Sequence, residues 1–142
     1  MRRLWSAAAV LSLCAALVSA VVAQEQSQAA KTTWKKLQQK ITIDVKEYGT
    51  KVFLEQEVNG ELKQPLKFII DNASGVSNNS KMSFKAKDIT VEKLLNELAD
   101  KYDWGWFVVS NAANNKVDGH IMIRKSSKGK ERGYEAGKEP KK

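Results

Sequence analysis

Between residues 90 and 102 the apolar side chains Val91, Leu94, Leu95, Leu98 and Tyr102 fall three and four positions apart. That spacing lays them in one stripe along a helix, and such a stripe has to be buried against other elements. Thr90 can cap the helix through its hydroxyl, Ile89 and Leu94 stand at the two staple positions, and Glu97 with Lys101 makes a favourable i,i+4 pair. Gly105 supplies a stop, and Trp106-Phe107-Val108-Val109 then has the aromatic and β-branched content of a strand.

Period-two patterns flank this helix. Lys81-Met82-Ser83-Phe84-Lys85-Ala86-Lys87 alternates, turning Met82, Phe84 and Ala86 to one side. His120-Ile121-Met122-Ile123-Arg124 is a short apolar strand, reached through the Asn-, Asp- and Gly-bearing segment 111–119 as a hairpin connection. Nearer the start, Ile41-Thr42-Ile43-Asp44-Val45 alternates, and Leu66-Lys67-Phe68-Ile69-Ile70 follows Pro65. The segment 52–62 admits two readings: a helix with Leu54, Val58 and Leu62 four apart, or a hairpin turning at Asn59-Gly60. The helix is favoured, with Asn59-Gly60 as a left-handed stop. The expectation is therefore a small single α+β domain of order β-α-β-β-α-β-β, its two helices packed on short mixed sheets.

Such a domain must hold by packing alone. The one cysteine, Cys14, lies in an apolar run near the start, so the rest of the chain offers neither disulfide nor thiolate. The formal charge of +8 suggests a nucleic-acid binder until it is divided along the chain. Residues 24–124 carry fifteen Lys or Arg against thirteen Asp or Glu, whereas 125–142 carry seven against three. Basic character thus sits mostly outside the expected fold, and 125–142 reads as a basic disordered tail with too few apolar residues for a core.

Arg2 and Arg3, the apolar run 7–22 and the small residues that end it have the three parts of a secretory signal peptide. The run is shorter than the roughly 20 residues of a membrane-spanning helix. Val21-Val22-Ala23 and Val18-Ser19-Ala20 both fit a cleavage site, and cleavage after Ala23 is favoured. The expected organisation is a signal peptide over 1–23, a linker over 24–40, the α+β domain over 41–124 and the tail over 125–142. The exported product would be periplasmic or secreted, without a membrane span once the signal is removed.

Ile41-Thr42-Ile43-Asp44-Val45, the strand ending at Asp71, and Ser83-Phe84-Lys85-Ala86-Lys87-Asp88-Ile89-Thr90-Val91-Glu92-Lys93-Leu94-Leu95 together resemble the short N-terminal domain of secretins and TonB-dependent receptors. The closest part is a strand, then Lys-Asp-x-Thr-x-Glu, then Leu-Leu, and the likeness covers about 41–124. It implies an exported interaction or assembly piece of the cell envelope, with a protein as partner, either an envelope component or a second copy.

Residues that could carry chemistry are few. His120 is the only histidine, and it stands beside Ile121 and Met122 with no partner at ligand or triad spacing. Asp100 and Asp103 flank a helix end, where carboxylates ordinarily cap or stay solvated. Asp71-Asn72-Ala73-Ser74-Gly75 and Asn78-Asn79-Ser80 offer oxygens without the ligand order of a calcium loop. No catalytic, cofactor-binding or metal-binding set is assigned, and neither an enzyme activity nor a nucleic-acid partner is expected. The candidate partner-binding residues are Trp104 and Trp106, which point the same way along a strand and could offer two indoles to a protein; the competing reading packs that face on the helices. Because Trp106 and Phe107 face opposite ways, the strand must either expose an aromatic or be covered on both sides. Two other functional readings stay open: attachment to an anionic envelope surface through the basic tail, and an unrecognised envelope enzyme.

Overall fold

A computed structural model describes residues 25–125 and 131–140. In order these form helix α1 (Gln28–Leu37), strand β1 (Lys40–Gly49), helix α2 (a turn Thr50–Val52 continuing as a π-helical segment Phe53–Val58), strand β2 (Phe68–Ile70) and a 3-10 turn (Asn72–Ser74). Strand β3 (Lys81–Thr90), helix α3 (Val91–Tyr102) and strands β4 (Trp104–Val108), β5 (Ile121–Lys125) and β6 (Arg132–Gly133) complete them. The result is a small α+β domain with three helices and two short sheets, one of them mixed. The β-α-β-β-α-β-β order appears in full, with one helix added before it and one short strand after.

Strands β1 and β3 pair antiparallel as a separate two-stranded ribbon. The other sheet runs β2-β5-β4-β6, where β2 with β5 and β4 with β6 are parallel and β4 with β5 antiparallel. The inward faces of both sheets and the stripes of α2 and α3 close one apolar core, in which Phe53, Leu54, Leu94, Leu95, Leu98 and Ile121 are wholly buried. In the ribbon, Ile41, Ile43 and Val45 alternate inward, and Met82 answers them from β3. Ile89 is also buried although its parity differs from Met82, because the register slips by one residue between Ile41 and Ile43. Asp88 takes φ of 56° at that bulge, and its amide donates to Thr42 Oγ1 at 3.1 Å. A second bulge puts Glu47 at φ 56°, its amide donating to Ser83 Oγ at 2.9 Å. Each extra residue bends and twists the ribbon, and a neighbouring hydroxyl satisfies the amide it leaves over.

The helix reading of 52–62 is the one the structure adopts, beginning two residues early at Thr50. Asn59 does not end it through a left-handed cap. It keeps right-handed helical angles, and its side-chain amide donates to Leu66 O and accepts from Leu66 N, fastening the connector before β2. Thr90 caps α3 as its sequence implies, accepting from Lys93 N. The stop is Asp103 rather than Gly105: the aspartate adopts the left-handed conformation at φ 54°, so β4 starts at Trp104.

The two flanking segments differ most from expectation. Within 24–40, read as a linker, Gln28–Leu37 is a helix that buries Ala30, Thr33 and Leu37. Ser27 caps it by accepting from Ala30 N and also donates to Asp118 in the β4–β5 connection. Thr33 Oγ1 donates to Gly119 O at 2.6 Å and the Ser27 amide donates to Ser110 Oγ at 2.8 Å, so three hydrogen bonds tie α1 and its cap to that connection. Within 125–142, read as a tail, Lys125 ends β5 and Arg132–Gly133 forms β6. The signal peptide assigned to 1–23 lies outside the described residues.

Candidate functional site

Trp104 and Trp106 do not form an exposed pair. They are 3% and 1% exposed and sit in the core, and the Trp106 indole N–H donates to Asn96 Oδ1 of α3 at 2.9 Å. Phe107, on the opposite face, is also buried, with the Arg124 guanidinium 4.8 Å above its ring. The strand is therefore covered on both sides, and the expected aromatic partner surface becomes part of the interior. The tryptophan face packs on the helices, against Asn96 of α3 and Trp34 of α1, and the rest of the strand is enclosed by Arg124 and by the segment after residue 130, whose ordering the composition of the tail conceals.

That segment lies along the free edge of β4 as a strap. Glu131 is buried despite its charge, and its carboxylate receives Arg124 Nε at 2.6 Å and Nη2 at 2.8 Å, a two-pronged ion pair. The Ala136 amide donates to the same carboxylate at 3.0 Å. Hydrogen bonding to Glu131, reinforced by its negative charge, raises the Arg124 pKa above its ordinary value against the effect of burial, so the guanidinium stays charged at any physiological pH. Arg132 donates to Trp104 O at 3.1 Å and to Asp100 Oδ1 at 2.6 Å. Tyr134 stacks on Trp34 of α1 with ring centres 5.0 Å apart, and Trp34 in turn lies 6.0 Å from Trp106. Four elements, α1, α3, β4 and β5, thus hold one short strap.

Sequence reasoning misses this group. The signal for α1 is present, since Ala30, Thr33, Trp34 and Leu37 follow helical spacing behind a serine cap. For the strap there is only Tyr134, the one aromatic residue beyond Phe107, beside Gly133.

The remaining sites of interest resolve into structural duties. Asp100 binds Arg132, while Asp103 stands 3.7 Å from Lys125 and serves as the α3 stop. The Asp71 carboxylate caps the 3-10 turn by accepting from Ser74 N, and the Asn72 amide donates to Val76 O and Asn78 Oδ1. Those loop oxygens build turns. Among the described residues no three of His, Cys, Asp and Glu gather as a metal site. His120 is half-buried and borders an open cleft of about 280 Å³ with Lys36, Lys67 and Asp118. No described helix is long and apolar enough to cross a membrane.

The ribbon offers a different kind of surface. Its strands are ten residues each, and no other described strand pairs with the outer edge of either. On β3 the Tyr102 hydroxyl holds both the amide and the carbonyl of Ser83, and Lys101 Nζ also donates to that carbonyl at 2.7 Å. On β1 the exposed side chains are polar except Tyr48, which is 42% exposed at the end nearest α2.

No family model, no curated protein and no solved structure matches this chain.

Proposed function

We propose that this chain is an exported protein-interaction or assembly module of the cell envelope that takes a partner strand along the outer edge of β1. The observation that carries the reading is the ribbon: ten residues of β1 with an edge that no described strand covers. Unpaired amides and carbonyls on such an edge can be completed by another chain, with flanking side chains selecting which one. The export signal read over 1–23 and the likeness of 41–124 to the N-terminal domain of secretins and TonB-dependent receptors support the compartment and the role. In this reading the domain performs no reaction, and its partner is a protein rather than a nucleic acid.

The test is a photo-cross-linking side chain at Tyr48 in intact cells. The expected result is a discrete protein adduct, identified by mass spectrometry and retained at about 0.5 M salt, where charges are screened within a few Å. Adducts to lipid alone would overturn the reading, as would capture that collapses with salt and requires the basic residues 125–142.

A further inference from the structure

We propose that the free edge of β4 is a peptide-accepting groove, and that residues 131–134 of a second copy of this chain can occupy the seat that the chain's own residues 131–134 hold here. Two molecules would then be joined by reciprocal exchange of their C-terminal straps. The groove lies on the four-stranded sheet, away from the ribbon edge, and the inference stands whether or not the ribbon binds a partner.

The seat is shaped for this segment. Gly105 in β4 has no side chain, and a Cβ there would stand 3.2 Å from both the amide nitrogen and the Cβ of Glu131, so glycine lets the strap lie close without the small shift that any side chain would demand. At the other end Gly133 is held at φ +87°, and a Cβ on it would overlap Cη2 and Cζ2 of Trp34. Between these points the Trp106 amide donates to Glu131 O at 3.1 Å. The strap presents an acid for Arg124, a base for Asp100, a glycine beneath Trp34 and an aromatic ring to stack on it.

Every receiving group belongs to residues 25–125, and every group received belongs to 131–134. An identical segment from another copy can therefore repeat each contact without any new one, which is the condition for exchanging an element between protomers. What favours the chain's own strap is its tether, since a short linker gives a local concentration on the order of millimolar. The strand ladder itself is small: only Trp106 with Arg132 and Phe107 with Gly133 are paired.

The tether length decides between the two arrangements. Lys125 is level with Trp104 on one side of β4, and Arg132 is level with Trp106 on the other. Two strand spacings across and two residues along put them about 12 Å apart. With residues 126–130 present the chain spans that gap easily. Without them two peptide units remain, reaching about 7 Å, and the strap cannot return to its own groove.

The experiment is sedimentation of the full chain lacking residues 126–130, beside the same chain carrying Gly133→Val. The shortened chain is expected to be a dimer at micromolar concentration, and Gly133→Val to return it to monomer by closing the seat against Trp34. A folded monomer from the shortened chain overturns the proposal, and so does a dimer that Gly133→Val leaves intact, which would mark association through another surface such as the ribbon. If the shortened chain does not melt cooperatively, the decision passes to the full-length Gly133→Val chain and a fluorescent peptide of residues 131–140. That variant should bind the peptide at least tenfold more tightly than the unaltered chain, whose seat is filled; equal or absent binding overturns the proposal.

Discussion

At the level of single residues the least expected side chain is Glu131, a carboxylate buried at the margin of the molecule and answered by one guanidinium. Removing one partner from a fully buried ion pair costs about 3–5 kcal/mol, because the other charge is left without water or counter-charge. Here the acid sits on a terminal strap that can carry it back into solvent, so the loss on Arg124→Met should stop short of that figure. The expected outcome is local: the amides of 131–134 exchange with solvent at least tenfold faster, Tyr134 leaves Trp34, and the main melting transition moves little. Combining Arg124→Met with Glu131→Leu should restore much of the protection, since no buried charge then remains. Unchanged protection in the single variant would show that the ion pair does not hold the strap. Trp106 predicts the contrary behaviour. It is wholly interior and its indole N–H satisfies Asn96, so Trp106→Ala should lower global stability by about 3–5 kcal/mol in a denaturant titration. A loss below about 1 kcal/mol would mean that the indole is not a core group.

At the level of elements, α1 and α3 should respond alike to a charge on the buried stripe. Leu95→Asp in α3 and Leu37→Asp in α1 each force a carboxylate into a site that is wholly buried. An unpaired charge there costs several kcal/mol, comparable with the whole stability of a small domain. Both variants should lose the cooperative thermal transition; a Leu37→Asp chain melting like the unaltered one would return residues 28–37 to the status of a linker. The contrast between these helices shows what the sequence does and does not reveal. The α3 stripe carries four branched aliphatic residues within two turns, so periodicity alone locates it, and the alternating strands are legible for the same reason. Helix α1 buries only Ala30, Thr33 and Leu37 fully, and its surface carries Lys31, Lys35 and Lys36, so a sound helix reads as a polar spacer. The strap is harder still. A two-residue strand has no period, and what orders it are contacts with Trp34, Asp100, Trp104 and Arg124, scattered over ninety residues of chain. The aromatic strand shows the same limit: alternation separates Trp106 from Phe107, and the helices cover the first, yet nothing local shows that Arg124 lies over the second or that the strap closes the edge of the strand.

At the scale of the whole molecule, α1 and the strap turn a domain expected over 41–124 into a unit that begins near residue 27, and this bears on the export signal proposed for residues 1–23. Ser27 is a structural residue: it caps α1, and its hydroxyl donates to Asp118, so a chain cut beyond it would lose both contacts. Cleavage after Ala23, the favoured site, leaves Gln24, Glu25 and Gln26 ahead of that cap and the helix whole; cleavage after Ala20 would only lengthen the lead. Two constraints of different origin, small residues for the processing enzyme and a hydroxyl for the helix, thus fit together within a few positions. The expected outcome is that native protein from the envelope fraction has an N-terminus near Gln24 by mass spectrometry, in a form whose Lys31 amide is protected from exchange through its bond to Ser27 O. Recovery of the uncut chain from membranes would overturn the export reading. An N-terminus beyond Ser27 would instead require that α1 stand without its cap, at a cost of about 1 kcal/mol, and that the β4–β5 connection give up two of its three ties to the helix and its cap.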